Sequence, residues 1–180
     1  IKDLQPFEPV LKRSLTPIDQ MLEITFDDMH FGIATLSDYK STLQDTLDII
    51  EERQYKEINI IIGEDLIHTD NFRGTTSNGT YIGEIDVPKA YNDALLFYFA
   101  IVDKALECSE RVRIVYSMGN HSESLSWTII QVLKVKYPQL EIEDSMEERK
   151  VISFYEVFLG VTHGNTIKGN LMEVKDLFVE

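Results

Sequence analysis

Ile58-Asn59-Ile60-Ile61-Ile62-Gly63-Glu64-Asp65-Leu66-Ile67-His68 is the stretch on which the fold turns. Its first five residues are almost wholly apolar, the pattern of a strand covered on both faces. The run ends abruptly at polar residues. The same event recurs outward from it. Met21–Phe26 alternates as a strand does and stops at Asp27-Asp28-Met29-His30-Phe31-Gly32. Val112–Tyr116 leads into Gly119-Asn120-His121, and Ile152–Val161 reads as two short strands or one bent strand ending at Thr162-His163-Gly164-Asn165.

Helical patterns lie between the strands. One helix is expected near Ser37, a fair N-cap, with Leu43, Leu47 and Ile50 on one face. Asp86 and Pro88 suit the start of a second, in which Tyr91, Ala94, Leu95, Tyr98, Ile101, Val102 and Ala105 keep helical spacing. Leu125–Val135 is a third, carrying Trp127 and closed by Pro138, while residues 73–87 read as a loop. Trp127 and Tyr98 are expected in the core, Cys108 as a small buried residue, Asp70 and Asn71 in a turn, and Glu141–Glu148 as solvated surface. Residues 1–20, with Pro6, Pro9 and Pro17, read as an extended lead-in to one domain over 21–180. Strands alternating with helices predict an α/β fold with a mainly parallel sheet. In such folds ligands bind beyond the carboxyl ends of the strands.

Composition narrows the function. The chain has 180 residues, 43% of them apolar, enough for one domain with a sizeable core. No apolar run approaches the ~20 residues that span a bilayer, so no membrane association is expected. Cys108 is the only cysteine, which excludes a disulfide framework and multi-cysteine zinc and points to a reducing, cytoplasmic setting. A net charge of −14 repels polyanions and disfavours a protein that coats nucleic acid. A divalent cation reverses such a field locally, so a phosphate could still be drawn to a metal site.

All four histidines, His30, His68, His121 and His163, follow predicted strands closely. If those strands are parallel, the histidines gather at one sheet edge with Asp28, Asp65 and Asn120. Oxygen donors mixed with imidazole suit Mn, Fe, Zn or Mg. Asp27 reads as a solvated neighbour of Asp28 that could also accept a hydrogen bond from an imidazole. Arg73 could meet a substrate phosphate from its loop, and His68 could line the pocket or be a structural histidine.

Asp28-Met29-His30, Gly63-Glu64-Asp65, Gly119-Asn120-His121 and the late His163 resemble, in matching order, the motifs of the calcineurin-like metallophosphoesterase family. The segment from Asp65 to Asn71, the Gly-Thr-Thr loop after it and the pair Ser126-Trp127 look most like phage and prophage members. The resemblance covers roughly residues 21–180 and implies that family's sandwich of mixed, largely parallel sheets flanked by helices. It implies a metal-dependent phosphoesterase, in which a hydroxide held between two divalent ions attacks phosphorus. Asp28 and His30 would hold one ion, Asp65 would bridge, and Asn120 and His163 would hold the other. His121 would face the substrate as the catalytic acid, with His68 and Arg73 as further substrate contacts. The implied substrate is a phosphate ester, with nucleotides and nucleic acid among the candidates.

Three positions depart from the family pattern. Glu64 stands where Asn is common, and Ser122 where an acidic residue follows the motif histidine. Asn165 stands where phage-like relatives often carry Asp. The family's closing Gly-His-x-His is missing, since no histidine follows His163, and it is expected downstream of Glu180. A non-catalytic binding module, degenerate or truncated, is the alternative function. A serine esterase of the SGNH type is disfavoured, because the first strand ends in Asp-Asp-Met-His with no serine.

Overall fold

The computed structural model describes residues 18–164. Four strands form a wholly parallel sheet in chain order: β1 (Ile18–Thr25), β2 (Tyr55–Gly63), β3 (Ser109–Ser117) and β4 (Glu141–Glu143). They are joined by α1 (Lys40–Glu51), α2 (Val87–Cys108) and α3 (Glu123–Lys136). Consecutive parallel strands with crossovers of one hand place their helices on one face. Ile58, Ile60, Ile62, Ile114 and Tyr116 on that face form one core with Ile50 of α1, Phe97 and Ile101 of α2 and Ile130 of α3. The opposite face explains why β2 is apolar on both sides. There Ile61 and Val115 pack against Ile152 and Val161 of a two-stranded antiparallel sheet, β5 (Lys150–Phe154) and β6 (Val157–Val161). The α/β expectation with a parallel sheet flanked by helices therefore holds.

Several local expectations change. β1 begins at Ile18, so residues 18–20 belong to the sheet; the rest of the supposed lead-in, and Asn165, lie outside the described residues. Ser37 does not cap α1, which starts at Lys40. The Asp38 carboxylate instead accepts from the Thr35 N–H and hydroxyl, both at 2.8 Å, and closes a turn ahead of the helix. A local carboxylate that can satisfy two donors competes directly with the helical ladder. Asp86 does cap α2, its Oδ1 accepting from the Lys89 N–H at 3.1 Å. Tyr98 and Cys108 are fully buried, but Trp127 is 36% exposed and donates its indole N–H to the Asp144 carbonyl. The acidic stretch lies at the surface as expected, but part of it is ordered. Glu141–Glu143 form β4, and the Glu141 carboxylate takes Arg111 at 2.9 Å and Arg113 at 3.3 Å.

Gly63 is where the sheet turns into the loop beyond it. Its φ is +139°, and a Cβ there would lie 1.8 Å from the Ser117 carbonyl oxygen. That carbonyl also accepts the Glu64 N–H at 2.9 Å, so it cannot retreat without breaking a bond. Gly63→Ala should lower the unfolding free energy by about 2–4 kcal/mol in urea titration. An unchanged midpoint would contradict this close approach.

Candidate metal centre

The loops after β1, β2 and β3 converge because backbone hydrogen bonds continue past the strand ends. Asp28 and His30 donate their N–H groups to the carbonyls of Glu64 and Asp65 at 2.9 and 3.0 Å. Phe31 N–H reaches Leu66, and His68 N–H returns to Phe31, at 2.9 and 3.0 Å. This zipper holds four non-glycine residues in left-handed backbone: Asp28 (φ 50°), His30 (45°), Glu64 (49°) and Asp65 (63°). Each such residue costs on the order of 1–3 kcal/mol and persists only where its surroundings over-determine it. Asp and His tolerate this region better than most residues.

Asp65 is the hub. Its side chain is 4% exposed, and its Oδ1 accepts the N–H groups of Asn120 and His121 at 2.7 and 2.6 Å. Gly119 makes that reach possible, since a Cβ at residue 119 would sit 2.3 Å from both the Asp65 nitrogen and Oδ1. The other oxygen, Oδ2, lies 3.5 Å from His163 Nε2, which is 3.0 Å from Asn120 Oδ1. On the other side, Asp28, His30 and Asp65 bring ligand atoms within 4.8 Å of one another. Asp65 is thus shared by two donor sets, one with Asp28 and His30, one with Asn120 and His163.

His30, His68 and His121 form a second cluster within the same 4.8 Å limit. Their rings stack edge to face or tilted, with centroids 4.9–5.2 Å apart. The His121 Nδ1–H donates to the His68 carbonyl at 3.2 Å, since a carbonyl oxygen can only accept. Burial first, then His121, lowers the His30 pKa; burial first, then His30 and His121, lowers that of His68. Both shifts favour the neutral ring, and a neutral His30 keeps a lone pair for a Lewis acid. Among the described residues no Lys or Arg pairs with Asp28 or Asp65. A buried carboxylate without a Lys or Arg partner, ringed by imidazole and amide groups, fits a divalent ion.

The structure brings together Asp28, His30, Asp65, His68, Asn120, His121 and His163. Arg73 is exposed, and no hydrogen bond or ion pair joins its guanidinium to the cluster. Asp27 meets no imidazole: it accepts from Thr25 at 3.1 Å and pairs with Glu64. Ser122, where an acidic residue was expected, accepts the buried Ile67 N–H at 3.2 Å and bonds Ser126 at 2.7 Å. The Asp70 carboxylate does more than shape a turn. It accepts the Ser124 and Leu125 N–H groups at 2.7 and 3.0 Å and so caps α3 from another loop. Comparison with protein-family models, curated proteins and solved structures found no match.

Glu64 carries the clearest electrostatic cost. Burial, then a hydrogen bond to Asp27, pushes its carboxyl up to about 7, although the Ser117 hydroxyl donates to it at 2.7 Å. In metal-free protein the native state keeps this proton up to about 7, whereas an unfolded glutamate releases it near 4.5. The unfolded state binds fewer protons in that window, so this group lowers stability as pH rises through it. Glu64→Gln should raise the unfolding free energy at pH 8 by roughly 1–2 kcal/mol, after discounting for partial exposure, and change little at pH 4. Equal effects at both pH values would show that the carboxyl is not perturbed.

Proposed function

We propose that this protein is a metal-dependent phosphoesterase of the calcineurin-like type, with the sandwich fold of that family and a pair of divalent ions (Mn, Fe, Zn or Mg). The observation that carries the reading is the sharing of the buried Asp65 carboxylate between the Asp28/His30 set and the Asn120/His163 set. One pure-oxygen set would suit Mg or Ca, and a four-cysteine set structural zinc; mixed oxygen and imidazole around one bridging carboxylate suits a two-ion hydrolytic centre. Bound there, two divalent ions would acidify water and neutralise charge on the attacking and leaving oxygens of an in-line displacement.

The protein's own side chains have distinct tasks. Asp28, His30 and Asp65 would hold one ion, and Asp65, Asn120 and His163 the other. His121 is fixed by its Nδ1–H bond to the His68 carbonyl, which leaves Nε2 for the substrate. Protonated there, it donates to the leaving oxygen as general acid. The paired N–H bonds to Asp65 Oδ1 keep the bridging carboxylate from rotating. The substrate is a phosphate ester, with a nucleotide or a short nucleic acid segment the favoured class. A net charge of −14 disfavours long duplexes, and divalent ions in the centre would turn the local field in favour of a phosphate. No described helix is long and apolar enough to cross a membrane, and a cytoplasmic setting accords with the single buried thiol of Cys108.

Hydrolysis of chromogenic phosphate mono- and diesters with added Mn²⁺ tests the proposal. Turnover should require the ion and stop with chelator. His121→Ala should lower kcat by 10²–10⁴ while calorimetry shows Mn²⁺ binding unchanged. Protein that binds Mn²⁺ yet hydrolyses neither class with any divalent ion would favour a binding module instead.

A further inference from the structure

His68 is not among the proposed ion ligands, yet its ring and its carbonyl each meet one of the other imidazoles. His30 turns Nε2 toward Asp28, 3.8 Å from Oδ1, and Nδ1 toward His68 Nδ1, 3.1 Å away. The two rings cross at 76°. If Nε2 of His30 is to offer a lone pair to an ion, its proton must sit on Nδ1, and that N–H needs an acceptor. The ring nitrogen of His68 is the acceptor within hydrogen-bond distance. The His68 proton then sits on its own Nε2. On the same residue, the main-chain oxygen receives the His121 Nδ1–H at 3.2 Å.

We infer that His68 is the positioning residue of the metal centre: its ring fixes the tautomer and orientation of His30, while its carbonyl fixes those of His121. This rests on the metal-centre reading for His30. Ligating histidines characteristically donate their second ring N–H to a fixed partner, and loss of such a partner weakens metal binding by 10–100-fold.

The surroundings of His68 suit this work, because residues on both sides are pinned. Leu66, Ile67 and Thr69 are each 0% exposed. The His68 N–H is held by Phe31, and the Ile67 N–H by the Ser122 hydroxyl. The Thr69 hydroxyl bonds the Asn71 and Thr75 carbonyls at 3.1 and 2.9 Å, and the Asp70 carboxylate is anchored on α3. A residue meant only to fill space would need no such alignment of ring nitrogen against ring nitrogen.

Mn²⁺ calorimetry on wild-type protein and two variants separates the roles. Any residue at position 68 keeps the carbonyl, so the variants probe the ring alone. His68→Leu removes the acceptor and should weaken one Mn²⁺ site 10–100-fold. His68→Gln supplies an amide oxygen that still accepts and should restore affinity to within a few-fold of wild type. Nitrogen-15 NMR of the zinc-loaded wild type should find the His30 proton on Nδ1, a readout that needs no variant. Equal affinity in wild type and both variants overturns the inference and leaves the metal centre standing. Loss as severe with Gln as with Leu also overturns it, since the imidazole would then be a ligand itself. A wild type that binds no Mn²⁺ overturns the metal centre, and this inference with it.

Discussion

A single carboxylate, that of Asp65, sets the terms for everything at this end of the sheet. It is buried and accepts two main-chain N–H groups through one oxygen, and this depends on residue 119 having no side chain. The two bonds tie the loop after β2 to the loop after β3. The backbone zipper from Asp28 to His68 ties the loop after β1 to the same point. The site is therefore one piece of architecture, held by the protein's own hydrogen bonds. Left-handed backbone at Asp28, His30, Glu64 and Asp65 stores strain that no helix or strand would require. The large core between the sheet and its three helices offsets that strain.

Electrostatics follow from the same geometry. Asp27, Asp28, Glu64 and Asp65 crowd one edge of a chain that already carries −14. Glu64 responds by holding its proton to about 7. The imidazoles respond in the opposite sense, with His30 and His68 depressed chiefly by burial. Neutral nitrogens beside unpaired carboxylates disfavour an anion and favour a small cation. The proposed phosphoesterase chemistry uses that preference to bring a second anion, the phosphate, into a field that would otherwise reject it.

Much of this was legible in the sequence because the signals were short-range. Apolar runs ending in Asp-x-His, Gly-Glu-Asp and Gly-Asn-His gave the strands and placed their ends, and parallel pairing gathered those three segments, whereas His163 arrives from the separate antiparallel β5–β6 sheet. The misses were long-range or competitive. Asp70 caps a helix 54 residues away, and its neighbours alone suggested only a turn. Ser37 looked like a cap until Asp38 took the Thr35 donors. Glu141 lies in an acidic run, yet two arginines on the adjacent strand draw it into the sheet. The pairing of His68 with His30 spans 38 residues, and no local pattern encodes it. His68 was a candidate from the sequence, but its alignment with His30 follows only from Phe31 and Ile67 lying side by side.

The convergence of two donor sets on Asp65 is the claim that the functional account needs most. Anomalous diffraction from crystals grown with Mn²⁺ measures it directly. The account predicts two peaks about 3.5–4 Å apart, one on each side of the Asp65 carboxylate. No peak at Asp65, with manganese bound only elsewhere on the acidic surface, would contradict it.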